Sequence, residues 1–85
     1  MKYRYCLNFM TAEAAQHGFD ILYNEASDNN GFLSYNRFRE LVYGTATNCD
    51  PTYGWTLKMI QDSTIEPNYH MHVLNMPGPI DIGDV

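Results

Sequence analysis

Cationic side chains are scarce in this 85-residue chain: five Lys and Arg stand against ten Asp and Glu, a formal charge of −5. A protein that coats nucleic acid must replace phosphate counterions with cations, so direct nucleic-acid binding is disfavoured. Cysteine is nearly absent, with only Cys6 and Cys49, too few for a disulfide framework. No apolar run approaches the ~18 residues that a membrane helix needs, so no membrane partner is expected. Residues 1–5 carry Lys2 and Arg4, but no apolar stretch of signal-peptide length follows them. These absences point to a cytoplasmic protein with both thiols reduced; a Cys6–Cys49 disulfide is the alternative in an oxidising compartment. Catalytic signatures are missing as well: there is no GxSxG, P-loop or GxGxxG. Cys6 and His70 make a Cys–His pair only on paper, because nothing orients the histidine or supplies an oxyanion site. The expectation is a protein that is not an enzyme and carries no cofactor.

What the chain does have is apolar surface to bury. It is 45% hydrophobic and 14% aromatic, with seven Tyr, four Phe and one Trp, too apolar for a disordered chain. At this length one core is the limit, and an ordered monomer or small homo-oligomer is expected.

Residues 2–9 alternate, with Tyr3, Tyr5, Leu7 and Phe9 against Lys2, Arg4, Cys6 and Asn8, the pattern of a half-buried strand. Thr11 is a candidate N-cap for a helix over 12–26, whose Ala12, Ala15, Phe19, Leu22 and Ala26 form one apolar stripe. Residues 27–31 read as a turn, and Ser34 caps a second helix with Tyr35, Phe38, Leu41 and Val42 inside and Gly44 as the stop. After a polar connection over 45–54, period two returns at 55–60 and again at 69–74. A turn over 63–68 separates these segments, so the pair reads as a hairpin. The fold class is therefore α+β: a small β-α-α-β-β domain, with two helices packed on one face of a three-stranded antiparallel sheet. Residues 1–76 form the domain, and 77–85, dense in Pro and Gly, form an extended or disordered tail.

Three surfaces are candidates for chemistry. Long loops carry function, so Asn48, Asp50 and Tyr53 in the connection, Asp62 and Glu66 in the later turn, and the acidic tail over 77–85 are candidate contacts for a protein partner. If the strands register as read, Lys2, Arg4, Lys58, His70 and His72 share one sheet face. A cationic patch on an acidic protein could then hold an anionic small molecule such as a nucleotide. That face would also bring Cys6 beside His70 and His72, an incomplete zinc set without CxxC or HExxH spacing.

The segment 26–38 resembles an EF-hand calcium loop, with Asp28 and Asn30 at ligand positions, Gly31 at the sharp turn, Leu33 after it and Ser34 at the ninth position. The resemblance implies a calcium-responsive module. Ala26 and Arg37, however, stand where the first carboxylate and the bidentate Glu belong. As a type, very small acidic chains without enzyme motifs look like the accessory or counter-defence proteins of phages. The leading expectation is a non-enzymatic binding or inhibitory protein that occupies a macromolecular partner. An anion binder and then a calcium module rank behind it.

Overall fold

The computed structural model describes residues 4–82. The alternating segment at the start forms β1 (Arg4–Phe9), and α1 (Ala12–Asp28) follows, capped by Thr11, whose hydroxyl accepts the Ala14 N–H at 3.0 Å. The apolar stripe of α1 buries Ala15, Leu22 and Ala26. Asn30 and Gly31 then take left-handed backbone, with φ of 57° and 81°, and end the helix. The Gly31 N–H returns to the Ala26 carbonyl at 2.8 Å.

Three residues, β2 (Phe32–Ser34), come before α2 (Tyr35–Tyr43), and Ser34 caps that helix by accepting the Arg37 N–H at 3.1 Å. Across the connection come β3 (Tyr53–Thr56), the short α3 (Leu57–Gln61), β4 (Thr64–Asn68), β5 (Met71–Pro77) and β6 (Ile80–Asp81). The class is α+β as expected, but with three helices and two antiparallel three-stranded sheets, ordered β1-β5-β4 and β2-β3-β6.

The differences have physical causes. The segment 55–60 is not one strand. Thr56 accepts the Met59 N–H at 3.3 Å and starts α3, whose five residues are too few for period two and period 3.6 to be told apart. The supposed turn over 63–68 is itself β4, an edge strand on which Pro67 is tolerated because an outward-facing N–H is not needed there. The hairpin closes instead at Tyr69 and His70. Within the predicted tail, Pro77 ends β5 and Ile80–Asp81 pairs with β3; residues 83–85 lie outside the described region.

The core joins both sheets. Trp55, Phe38, Leu22, Leu33, Ile60, Leu74 and Met76 are almost fully buried. Trp55 stacks on Phe38 with ring centroids 4.7 Å apart and donates its indole N–H to the Pro77 carbonyl at 2.6 Å. The Tyr5 ring lies edge-on to Tyr35, Phe38 and Trp55 at 6.0, 6.0 and 5.6 Å. Burial first, and then the hydrogen bond and charge of Tyr35, push the Tyr5 phenol from 10.0 up to about 12. The folded state thus holds this proton more tightly than the unfolded chain. The stabilisation is fully present below pH 10 and is lost as the pH rises through about 12. Urea titrations should therefore show stability falling across that alkaline window, and Tyr5→Phe should remove part of the fall.

Tyr69, at the tip between β4 and β5, is 99% exposed and has φ of 58°. Left-handed backbone costs an L-residue about 1–2 kcal/mol, and this side chain gains no packing in return. Tyr69→Gly is expected to raise stability by about 1 kcal/mol in urea melts, since glycine adopts the conformation without that steric cost.

Candidate functional site

The connection between α2 and β3 has no regular structure, yet hydrogen bonds fix most of its length. Gly44 ends α2 in left-handed backbone, with φ of 69°, and donates its N–H to the Glu40 carbonyl at 3.0 Å. Asn36, in the first turn of α2, spends its whole amide on the loop. Its Nδ2 donates to the Cys49 carbonyl at 2.8 Å, while its Oδ1 accepts the Cys49 N–H at 2.9 Å and the Thr47 hydroxyl at 2.7 Å. Further on, Asp50-Pro51-Thr52-Tyr53 is a tight turn closed by the Tyr53 N–H on the Asp50 carbonyl at 3.0 Å. Asp at the first position and Pro at the second suit such a turn.

The Asp50 carboxylate accepts the Thr52 N–H at 2.9 Å and lies 2.8 Å from the Thr52 hydroxyl. Those bonds, the backbone one foremost, hold its pKa below 3.8, so it is anionic at neutral pH. Asp50 joins no ion pair among the described residues. The same Thr52 hydroxyl lies 2.6 Å from Oδ1 of Asp81 on β6. One hydroxyl proton thus stands between two carboxylates, and the Ile82 N–H ties this corner to the Thr52 carbonyl at 3.0 Å. Asn48, Cys49, Asp50 and Pro51 stay exposed on the fixed backbone.

Of the predicted partner contacts, the structure brings together Asn48, Asp50 and Tyr53. Tyr53 is half-buried on β3, its ring 5.5 Å from that of Tyr35, so part of its role is packing. Asp62 caps the end of α3, and Glu66 lies on the outer face of β4, where it accepts from Asn75 Nδ2 at 3.3 Å. Neither belongs to the loop. In sequence, neither Asn36 nor Thr52 is singled out, and Asp81 enters only as part of the acidic tail. Asp50-Pro51 carries a turn signal within the segment read only as a polar connection, but nothing local reveals that Asn36 reaches 13 residues ahead or that Asp81 meets Thr52 from 29 residues away.

The predicted cationic face is not assembled. Leu7 pairs with Leu74 and Phe9 with His72, so His72 lies on the helix-covered side of the sheet, opposite to Cys6. His70 is in the hairpin turn and Lys58 on α3. Arg4 occupies the first position of β1, and Lys2 lies outside the described residues. Cys6 shares the outer face with Asn8, Asn75, Val73, Glu66 and Thr64, and its thiol donates to Asn75 Oδ1 at 3.0 Å; neither His70 nor His72 joins it there. Both cysteines are free and exposed. The proposed gathering of Cys6 with the two histidines fails for the same reason of register.

In the loop that resembles an EF-hand, Asp28 ends α1 and Asn29 donates its amide to the Phe32 carbonyl at 3.0 Å. Arg37 pairs with Glu25 at 3.0 Å and Glu40 at 3.1 Å, which holds its own charge. No group of three or more His, Cys, Asp or Glu placed to hold a metal occurs among the described residues. Among them, too, no helix is long and apolar enough to cross a membrane. No family model, no curated protein and no solved structure matches the chain.

Proposed function

We propose that this protein is a non-enzymatic binding protein that occupies a macromolecular partner through the loop after α2, with the exposed Asp50 carboxylate receiving a cationic side chain of that partner. The observation that carries the reading is the bond set of Asn36 and Asp50. A ten-residue-scale connection is usually mobile, whereas this one is fixed by side chains that do no other visible work. Fixing a loop beforehand removes ordering entropy that binding would otherwise have to supply. An ionised Asp50 on such a backbone suits the guanidinium or ammonium of a basic protein surface. The net charge of −5 would speed the encounter with such a partner. Exposed free thiols fit a reducing, cytoplasmic setting. Inhibition by occupancy, as accessory or counter-defence proteins of phages act, is the mode that asks for no further chemistry.

The test is affinity capture from host lysate with the wild type, Asp50→Lys and Asn36→Ala, resolved by mass spectrometry. A protein recovered by the wild type should fall at least about tenfold with Asp50→Lys, since a paired charge at a contact is typically worth more than 1.4 kcal/mol. It should also be lost in high salt and weaken with Asn36→Ala, which keeps the charge but frees the loop. Capture that ignores Asp50→Lys would move the binding surface elsewhere.

A further inference from the structure

Arg37 and Arg39 stand close together on α2, yet the fold treats them differently. Arg37 spends its guanidinium on Glu25 and Glu40, at 3.0 and 3.1 Å. Arg39 makes no ion pair and no hydrogen bond among the described residues, although the chain holds ten Asp and Glu. Its side chain is half-buried. The guanidinium carbon stands over the Tyr43 ring, 4.6 Å from the centroid, which fixes the group without giving its N–H bonds an acceptor. Nε is shut off from solvent and unpaired, whereas the two Nη atoms stay within reach of solvent. Buried donors in folded proteins nearly always have a partner, which makes this guanidinium an exception.

Its surroundings supply further donors and no negative charge. Tyr35, Arg39 and Tyr43 are spaced by four, so one face of α2 carries the guanidinium between two phenols. The Tyr35 ring lies 6.0 Å from that of Tyr5 on β1 and 5.5 Å from that of Tyr53 on β3. Tyr35, Tyr53 and Arg39 all act on the Tyr5 phenol, so these polar ends share one neighbourhood; among the described residues no carboxylate acts on it. Because its pKa is raised to about 12, Tyr5 is a neutral hydroxyl at neutral pH. A guanidinium beside phenol O–H groups, with no carboxylate to claim it, is an arrangement that receives an oxyanion.

We propose that the Nη edge of Arg39, with the hydroxyls of Tyr35 and Tyr53 beside it, binds the carboxylate of a small organic acid. The charge count selects this class. Among the described residues Arg39 is the one cation that acts on these phenols, so it balances a single negative charge. A phosphate monoester carries nearly two at neutral pH and would leave one uncompensated in a protein already at −5. The flat fork also presents paired N–H groups that match the two oxygens of a carboxylate. The inference goes beyond the loop reading and does not depend on it: Asp50 draws a cation and Arg39 an anion, and the test needs no partner protein.

Titration of the full chain with sodium acetate at constant ionic strength, followed by proton–nitrogen correlation NMR, provides that test. The Arg39 Nε–Hε signal and the backbone amides of Tyr35 and Tyr53 should shift and saturate, with a Kd of about 1–10 mM, the range open to so small a ligand. Arg39→Gln removes a charge that no described residue pairs with, so circular dichroism should stay close to wild type while binding weakens by about tenfold or more. Tyr53→Phe should weaken it about threefold, the loss of one neutral donor. Acetate should raise the melting temperature of the wild type and leave that of Arg39→Gln unchanged. Failure to saturate by about 100 mM acetate overturns the proposal. So do shifts that persist unchanged in Arg39→Gln. Tighter binding of inorganic phosphate than of acetate at about pH 8, where phosphate is mainly dianionic, overturns it too, because the site would then balance two charges.

Discussion

Phe38→Ala is expected to cost about 3–5 kcal/mol, the usual range for removing a buried phenylalanine from a core. Phe38 has no exposed surface, stacks on Trp55 at 4.7 Å, and meets Tyr5, Tyr35 and Tyr43 at 6.0, 6.1 and 6.3 Å. Its removal opens a cavity where β1, α2 and β3 join, and the neighbours are large rings that cannot slide into it. A small domain has about 5–15 kcal/mol of total stability, and one of this size lies toward the low end, so the variant should be largely unfolded at ambient temperature. Trp55 is the single tryptophan and sits against the altered ring, so its fluorescence in urea reports the loss directly. A cost below about 1 kcal/mol would mean that α2 does not pack on the sheet as described.

Gly54→Ala should cost about 3 kcal/mol, at the top of the range for forcing extra volume into a packed site. A Cβ at Gly54 would fall on the Leu33 carbonyl oxygen and 2.8 Å from Ser34 Cα, atoms of the paired strand's backbone and not of a movable side chain. Relieving that contact means prising β2 from β3, where Ser34 lies opposite Gly54. Ser34 is also the cap of α2, so the displacement would loosen a bond typically worth about 1 kcal/mol as well. Thermal and urea melts measure the loss. Gly44→Ala is the informative contrast: nothing lies within 4 Å of its added carbon, so only the left-handed backbone, φ 69°, would resist it.

Particular elements show why some of the fold could be read and some could not. The caps Thr11 and Ser34, the stop at Gly44 and the apolar stripes of α1 and α2 are local signals, each acting within one or two helical turns, and they fall where the structure has them. β2, three residues between two helices, carries no periodicity of its own; it is a strand only because β3 arrives beside it from some twenty residues away. Residues 55–60 looked like one alternating run, although Trp55 and Thr56 end β3 and the rest lie in α3, because so few residues of helix and of strand bury nearly the same positions. In the candidate site, Asp50-Pro51 is a local turn signal inside a segment read only as a polar connection. The clamp from Asn36 and the approach of Asp81 were not legible, since both depend on where α2 and β6 come to rest.

The sheet faces teach the same lesson more sharply. Alternation correctly assigns Tyr5, Leu7 and Phe9 to the inner side of β1, but it says nothing about which residue of β5 stands opposite. A one-residue change in register moves every side chain to the other face, and the observed pairing of Phe9 with His72 turns that histidine inward and dissolves the expected cationic patch.

By itself, then, the sequence determined the acidic balance, the class of fold and two of the helices with their caps, because charge, periodicity and capping are properties of neighbouring residues. Only the tertiary structure decided that there are two sheets, that Asn36 and Thr52 fix the loop, and that β1, α1 and α2 enclose an apolar groove. Those facts are set by strand pairing between segments up to about seventy residues apart, and pairing of that kind is chosen by the packing of the whole core.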